Sequence, residues 1–113
     1  MHELSIARNI VEIATEYAQK NQIGNITKID IDVGRFSGVV LEALEFAMEE
    51  AVRNSVLENA KVAYHEIFGH AVCNHCNHQF ELDDFFGVCP KCQEMDYEIT
   101  QGKELQIRSL HVG

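Results

Sequence analysis

The sequence predicts an α+β fold, with two helices on a three-stranded sheet and a small metal-stapled ribbon near the C-terminus. Three observations predict it. Helix and strand periodicities alternate through the first 67 residues, two C-x-x-C pairs come next, and the chain closes on short alternating segments. With 113 residues and 46% apolar composition, the chain has material for one modest core plus an appendage held by something other than apolar burial.

Residues 4–20 carry Ile6, Ile10, Ile13 and Tyr17 at spacings of three and four, with Leu4, Ala7, Ala14 and Ala18 widening the stripe, so they predict an amphipathic helix. Residues 25–34 alternate Ile29, Ile31 and Val33 with Lys28, Asp30 and Asp32, which predicts a half-buried strand with one wet face. Gly34 and Gly38 mark a turn, and Ser37 is a candidate cap for the next helix. Residues 41–55 form that second helix, with Leu41, Leu44, Met48 and Ala51 inward and Glu42, Glu45 and Glu49 toward water. A second strand covers residues 61–67.

Composition then changes. Residues 70–97 hold all four cysteines, the single proline and few aliphatic side chains, too little for an apolar core of their own. The last stretch predicts two strands about a turn at Gly102. If the final strand returns to the first sheet, the ribbon is an insertion. The division expected is residues 1–68 plus 104–113 for the α/β domain and residues 69–103 for the ribbon.

Acidic residues outnumber basic ones 18 to 9, for a formal charge of −9, and no basic run interrupts them. Such a surface repels phosphate backbones, so no nucleic acid is expected as partner. No stretch approaches a membrane span and no basic-then-apolar leader opens the chain, so no membrane association and a cytoplasmic location are expected. In that reducing compartment paired C-x-x-C motifs point to metal before disulfides.

The pattern is Cys73-x2-Cys76-x12-Cys89-x2-Cys92. Each C-x-x-C places two sulfurs on one ion, and two such knuckles complete the tetrahedron that Zn(II) favours. Phe80, Phe85 and Phe86 are placed to pack over the cluster, and Pro90 stiffens the second knuckle. A rubredoxin-type iron site uses the same ligands, and would be coloured. A dithiol redox enzyme needs one exposed low-pKa pair, whereas here two pairs stand close together. A zinc ion on four thiolates has a closed sphere and supplies no catalysis. His70, His75 and His78 are expected to flank the knuckles without ligating. His78, two residues after Cys76, is the one candidate to exchange with a thiolate in acid.

The chain opens Met1-His2-Glu3, just before the first helix. The α-amine, the backbone nitrogens of residues 2 and 3 and the His2 imidazole are able to wrap one ion in small chelate rings, a near-planar nitrogen set that suits Ni(II) and Cu(II). Those amides have no intrahelical acceptor, and the Glu3 carboxylate sits favourably at the positive helix end. The bland alternative is an exposed start without metal.

MHELS at the start, GRFSGV at residues 34–39, the cysteine spacing and GKELQI at residues 102–107 together resemble the HypA family of hydrogenase nickel-incorporation proteins, along essentially the whole chain. The resemblance implies a nickel metallochaperone, not an enzyme, for maturation of [NiFe]-hydrogenase. Transported Ni(II) would sit at Met1, His2 and Glu3, and structural Zn(II) on Cys73, Cys76, Cys89 and Cys92. Partners implied are a HypB-type GTPase, the hydrogenase large subunit and urease accessory proteins. Two departures stand out: many relatives end in acidic residues, where this chain ends Leu110-His111-Val112-Gly113, and some carry a histidine where Gln93 stands. The second weakens the histidine-for-cysteine exchange. The competing function is a zinc-ribbon protein–protein adaptor, indifferent to His2.

Overall fold

The computed structural model describes residues 2–84 and 87–113. Helix α1 (Glu3–Lys20) leads into strand β1 (Ile26–Gly34), then helix α2 (Leu41–Ala51) and strand β2 (Lys61–Ile67). Strands β3 (Gly69–Cys73), β4 (Gln79–Leu82) and β5 (Tyr97–Gln101) come after them, and β6 (Leu105–Val112) closes the chain. Two three-stranded sheets result, in the orders β2-β1-β6 and β4-β3-β5. The particle is elongated, 54 × 27 × 17 Å.

In the first sheet β2 runs parallel to β1, as a strand joined through a crossover helix must, while β6 returns antiparallel on the other side. Ile29, Ile31 and Val33 of β1 enter one core with Ala7, Ile10, Ala14, Leu44, Met48 and Leu57. The buried stripe of α1 is Ala7, Ile10, Ala14 and Ala18, while Ile13 and Tyr17 are 46% and 47% exposed. The expected stripe was therefore rotated too far toward the bulky residues. Alanines let the helix approach its neighbours closely, and the large side chains lie at the margin.

Two further expectations are corrected. The polar face of β1 is not wet, for Asp30 and Asp32 are only 5% and 7% exposed. Side chains from both flanking strands cover them: His65 Nε2 lies 2.7 Å and His111 Nε2 2.8 Å from the Asp30 carboxylate, Ser109 Oγ donates to it at 2.8 Å, and Arg108 pairs with Asp32 at 2.7 Å. Nor does Ser37 cap α2. Val40 occupies the cap position, and Ser37 Oγ accepts from the Val39 amide inside the preceding turn. The strands either side of Gly102 exist, but they belong to different sheets and do not pair with each other.

The ribbon has a small apolar cluster after all: Ala71, Cys73, Phe80, Leu82 and Cys89, with Phe36 among them. Phe36 comes from the turn after β1, so the ribbon borrows an aromatic ring from the other half of the molecule. Three glycines make room where the halves meet. A Cβ on Gly69 would stand 2.2 Å from the Phe36 ring, and one on Gly34 2.1 Å from the Gly102 oxygen. The Phe36 amide donates to Gly102 O at 2.7 Å, the Gly34 amide to Glu104 O at 2.7 Å and the Arg35 amide to Ile67 O at 2.9 Å. Arg35 lies over the Phe68 ring, 5.4 Å from its centroid.

Candidate metal centres

The four cysteines converge as their spacing predicts. The Sγ atoms of Cys73, Cys76, Cys89 and Cys92 all lie within 4.8 Å of one another, with Cys73 and Cys89 buried. The two knuckles are built alike. In the first, the Cys73 amide donates to His78 O and the Asn77 amide to Cys73 O, at 2.9 and 3.0 Å. In the second, the Cys89 amide donates to Glu94 O and the Gln93 amide to Cys89 O, at 2.9 and 2.7 Å. The fourth residue after each leading cysteine turns the chain with a positive φ, 59° at Asn77 and 64° at Gln93.

The sulfurs crowd one another, at 3.4 Å for Cys73–Cys92 and 3.6 Å for Cys76–Cys89. Burial alone would raise the Cys89 thiol, but the backbone amides of Cys92 and Lys91 and the neighbouring sulfurs bring it down to about 6. At Cys92 the Glu94 amide favours the thiolate, yet burial and the three other sulfurs prevail and push it up to about 12. Cys89 ionises readily, whereas the Cys76 and Cys92 thiols beside it are pushed up. Four thiolates therefore need a cation among them, and a soft, closed, tetrahedral donor set fits zinc.

Two of the three histidines, His75 and His78, lie beside this cluster. His75 Nε2 is 3.4 Å from Asp96, whose other oxygen accepts from Asn74 at 2.9 Å, and His78 stacks on Phe80 with ring centroids 6.2 Å apart. Neither belongs to the sulfur group found among the described residues. Phe85 and Phe86, expected to cover the cluster, lie outside the described residues, while Phe80 does pack against the buried cysteines.

At the other end of the chain, Met1 lies outside the described residues. His2 is exposed at the N-cap of α1, with φ −115° and ψ 23°, its carbonyl accepting from Ile6 at 3.0 Å and its imidazole making no capping bond. Glu3 is different: it is 8% exposed, and its Oε2 accepts from the Val40 amide at 3.3 Å. Its own backbone amide first, then that of Val40, holds its carboxyl below the ordinary glutamate range against the opposing effect of burial. The carboxylate is therefore a brace between the starts of the two helices. Sequence reasoning missed Val40, because a backbone donor leaves no compositional trace.

Proteins of known role share both the sequence pattern and this fold. The family model described as "Hydrogenase/urease nickel incorporation, metallochaperone, hypA" matches residues 1–112. A hydrogenase maturation factor HypA of Parabacteroides distasonis is 38% identical, the alignment covering 97% of this chain and 96% of that one. Its counterpart from Prosthecochloris aestuarii is 36% identical over 97% of both. The solution structure of the Ni metallochaperone HypA from Helicobacter pylori superposes with a TM-score of 0.70 at 29% identity, covering 99% of this chain and 97% of that one.

Proposed function

The chain belongs to the HypA family of nickel metallochaperones for hydrogenase maturation, and from that premise we propose how its own residues carry the metal. Ni(II) is the cargo. His2 anchors it through the imidazole, and the Met1 α-amine with the backbone nitrogens of His2 and Glu3 completes a near-planar set. The observation that carries this reading is the state of the N-terminus: His2 stands exposed at the start of α1, its imidazole making no capping bond. All these donors compete with protons and none is a thiolate, so the ion is held against loss yet remains releasable when a partner displaces the segment.

Zinc takes the structural role. Cys73, Cys76, Cys89 and Cys92 would hold it, and what it supplies is neutralisation of charge that the four sulfurs cannot otherwise bear. The coordination sphere is then full, so the chain acts as a carrier and performs no catalysis. Residues 69–103 form the zinc unit, and residues 1–68 with 104–113 the nickel unit. This division is supported by two separate sheets and by β6 pairing with β1.

A HypB-type GTPase is the proposed working partner, and the [NiFe]-hydrogenase large subunit the destination, with urease accessory proteins as a second route because the family description names both systems. No helix among the described residues is long and apolar enough to cross a membrane; the proposed site of action is the cytoplasm, the reducing compartment in which paired C-x-x-C motifs hold metal. Nickel titration of untagged protein tests the assignment. His2→Ala, or a tag fused ahead of Met1, is expected to abolish the square-planar absorption band and tight binding while zinc content stays unchanged. Wild-type nickel binding in both would overturn the assignment of nickel to the N-terminus.

A further inference from the structure

The turn after β1 is a short, hydrogen-bonded stretch of chain that touches both metal-bearing regions. Phe36 is 7% exposed, and its ring lies in the ribbon cluster with Ala71, Cys73, Phe80 and Cys89. Its amide donates to Gly102 O at 2.7 Å, so ring and backbone are both fixed by the ribbon side. The next residues have little freedom. The Ser37 amide donates to Gly34 O at 3.0 Å, the Val39 amide to Ser37 Oγ at 3.2 Å, and Gly38 supplies the φ of +84° that the turn needs. The strap ends at Val40, whose amide donates to Glu3 Oε2 and whose carbonyl starts α2 by accepting from Leu44 at 3.0 Å.

We infer that Phe36 is a positioning residue for the nickel-holding terminus. By seating its ring among the buried cysteines it fixes the strap through residue 40, whose amide braces the Glu3 carboxylate and so sets the backbone of His2 and Glu3. The ribbon thus does more than stabilise. Its integrity is transmitted over five residues to the place where cargo is held, and the transmitting parts are a packed ring and a hydrogen-bonded turn. Because a near-planar nitrogen set must be met by consecutive backbone atoms, its affinity depends on how closely the free segment already adopts that shape. A terminus released from its brace must be ordered by the metal itself, at the cost of affinity. This inference rests on the nickel reading given above.

The test uses full-length, untagged, zinc-loaded protein, with nickel Kd, zinc content and the amide chemical shifts of His2 and Glu3 in nickel-free protein as readouts. Val40→Pro is the sharpest variant. The φ of −82° and ψ of 115° at that position suit proline, the side chain is 60% exposed, and the carbonyl that starts α2 is kept, so essentially only the N–H to Glu3 is lost. Phe36→Ala removes the anchor and Phe36→Leu keeps an apolar one.

Val40→Pro and Phe36→Ala are each expected to weaken nickel roughly fivefold or more, the low end of coupling between linked sites, at unchanged zinc content. Phe36→Leu is expected to restore most of the affinity. The double variant is expected to be no weaker than the worse single one, because both cut the same path. Wild-type affinity in Val40→Pro, or fully additive losses, would overturn the inference. Should Phe36→Ala shed its zinc, Val40→Pro decides alone. Should His2→Ala leave nickel binding intact, the nickel reading is what has failed. The amide shifts then decide the positioning claim, which falls if Phe36→Ala and Val40→Pro leave the His2 and Glu3 signals unmoved.

Discussion

Adding a single methyl group at position 34 probes the junction between the two halves. Gly34→Ala would place a Cβ 2.1 Å from Gly102 O, 2.4 Å from Gly102 C and 2.8 Å from Glu104 N, all backbone atoms, where real Cβ atoms keep at least 3.0 Å. No side-chain rotation relieves this, so the connection from β5 to β6 that carries Gly102 and Glu104 must move by nearly the whole deficit. That displacement strains two 2.7 Å backbone bonds, from Gly34 to Glu104 and from Phe36 to Gly102. Overpacking costs about 1–3 kcal/mol and each of the two compromised bonds about 0.5–1.5 kcal/mol, so the sum is about 2–6 kcal/mol. Against a total of about 5–15 kcal/mol for a small domain, that is a large fraction. Urea unfolding of the zinc-loaded protein, followed by circular dichroism, measures it. Gly24→Ala is the internal control, since nothing lies within 4 Å of its added carbon, and it is expected to be neutral or stabilising by up to about 1 kcal/mol. A Gly34→Ala protein within about 1 kcal/mol of wild type would refute the close-approach argument.

Other outcomes are expected from the same geometry. His65 above all, then Ser109 and His111, hold the Asp30 carboxyl well below the usual range. A depressed folded pKa gives stability that is present above the unfolded value, near pH 4, and lost as pH falls below it. The urea midpoints of wild type and Asp30→Asn should therefore differ at pH 6 and converge toward pH 3, and a constant gap would contradict the cluster's role. Structural zinc is worth on the order of 10 kcal/mol in small ribbons, so a chelator should strip amide-exchange protection from residues 69–101 before the sheet formed by β1, β2 and β6 loses its own. Equal loss in both sheets would argue against a zinc-held ribbon. Gln93 turns its knuckle at φ 64°, a conformation that costs an L residue about 1–2 kcal/mol, so Gln93→Gly should slow zinc loss to a competing chelator. Faster loss would mean the side chain contributes something the turn geometry does not require.

Much of this molecule is legible in its residues because the signals are local. The spacing of Cys73, Cys76, Cys89 and Cys92 determines the metal geometry almost without reference to the rest of the chain. The alternation of Ile29, Ile31 and Val33 likewise sets which face of β1 meets the helices. What escaped was tertiary. Asp30 and Asp32 look solvated in a strand pattern, and only the pairing of β1 with both β2 and β6 brings in the side chains that bury them. The buried stripe of α1 turned on how closely alanines let a helix approach, which periodicity alone does not weigh. Phe36 stood inside a recognisable segment, yet nothing in that segment says its ring belongs to a cluster assembled from residues 71–89. The brace from Val40 to Glu3 uses a backbone amide, which every residue but proline possesses.

The borrowed ring also bears on how such a chain is able to change over generations. The ribbon is inserted between β2 and β6, so at first sight it is a cassette that a shorter relative could simply omit. Deleting it would leave Phe36 with an uncovered face and its amide without Gly102 as acceptor. Loss of the insert, or its exchange for another, therefore demands compensation at position 36, some thirty residues upstream of where the insert begins. Ribbon and carrier must be inherited as one piece, and a graft of either onto a foreign scaffold succeeds only if the turn after β1 travels with it.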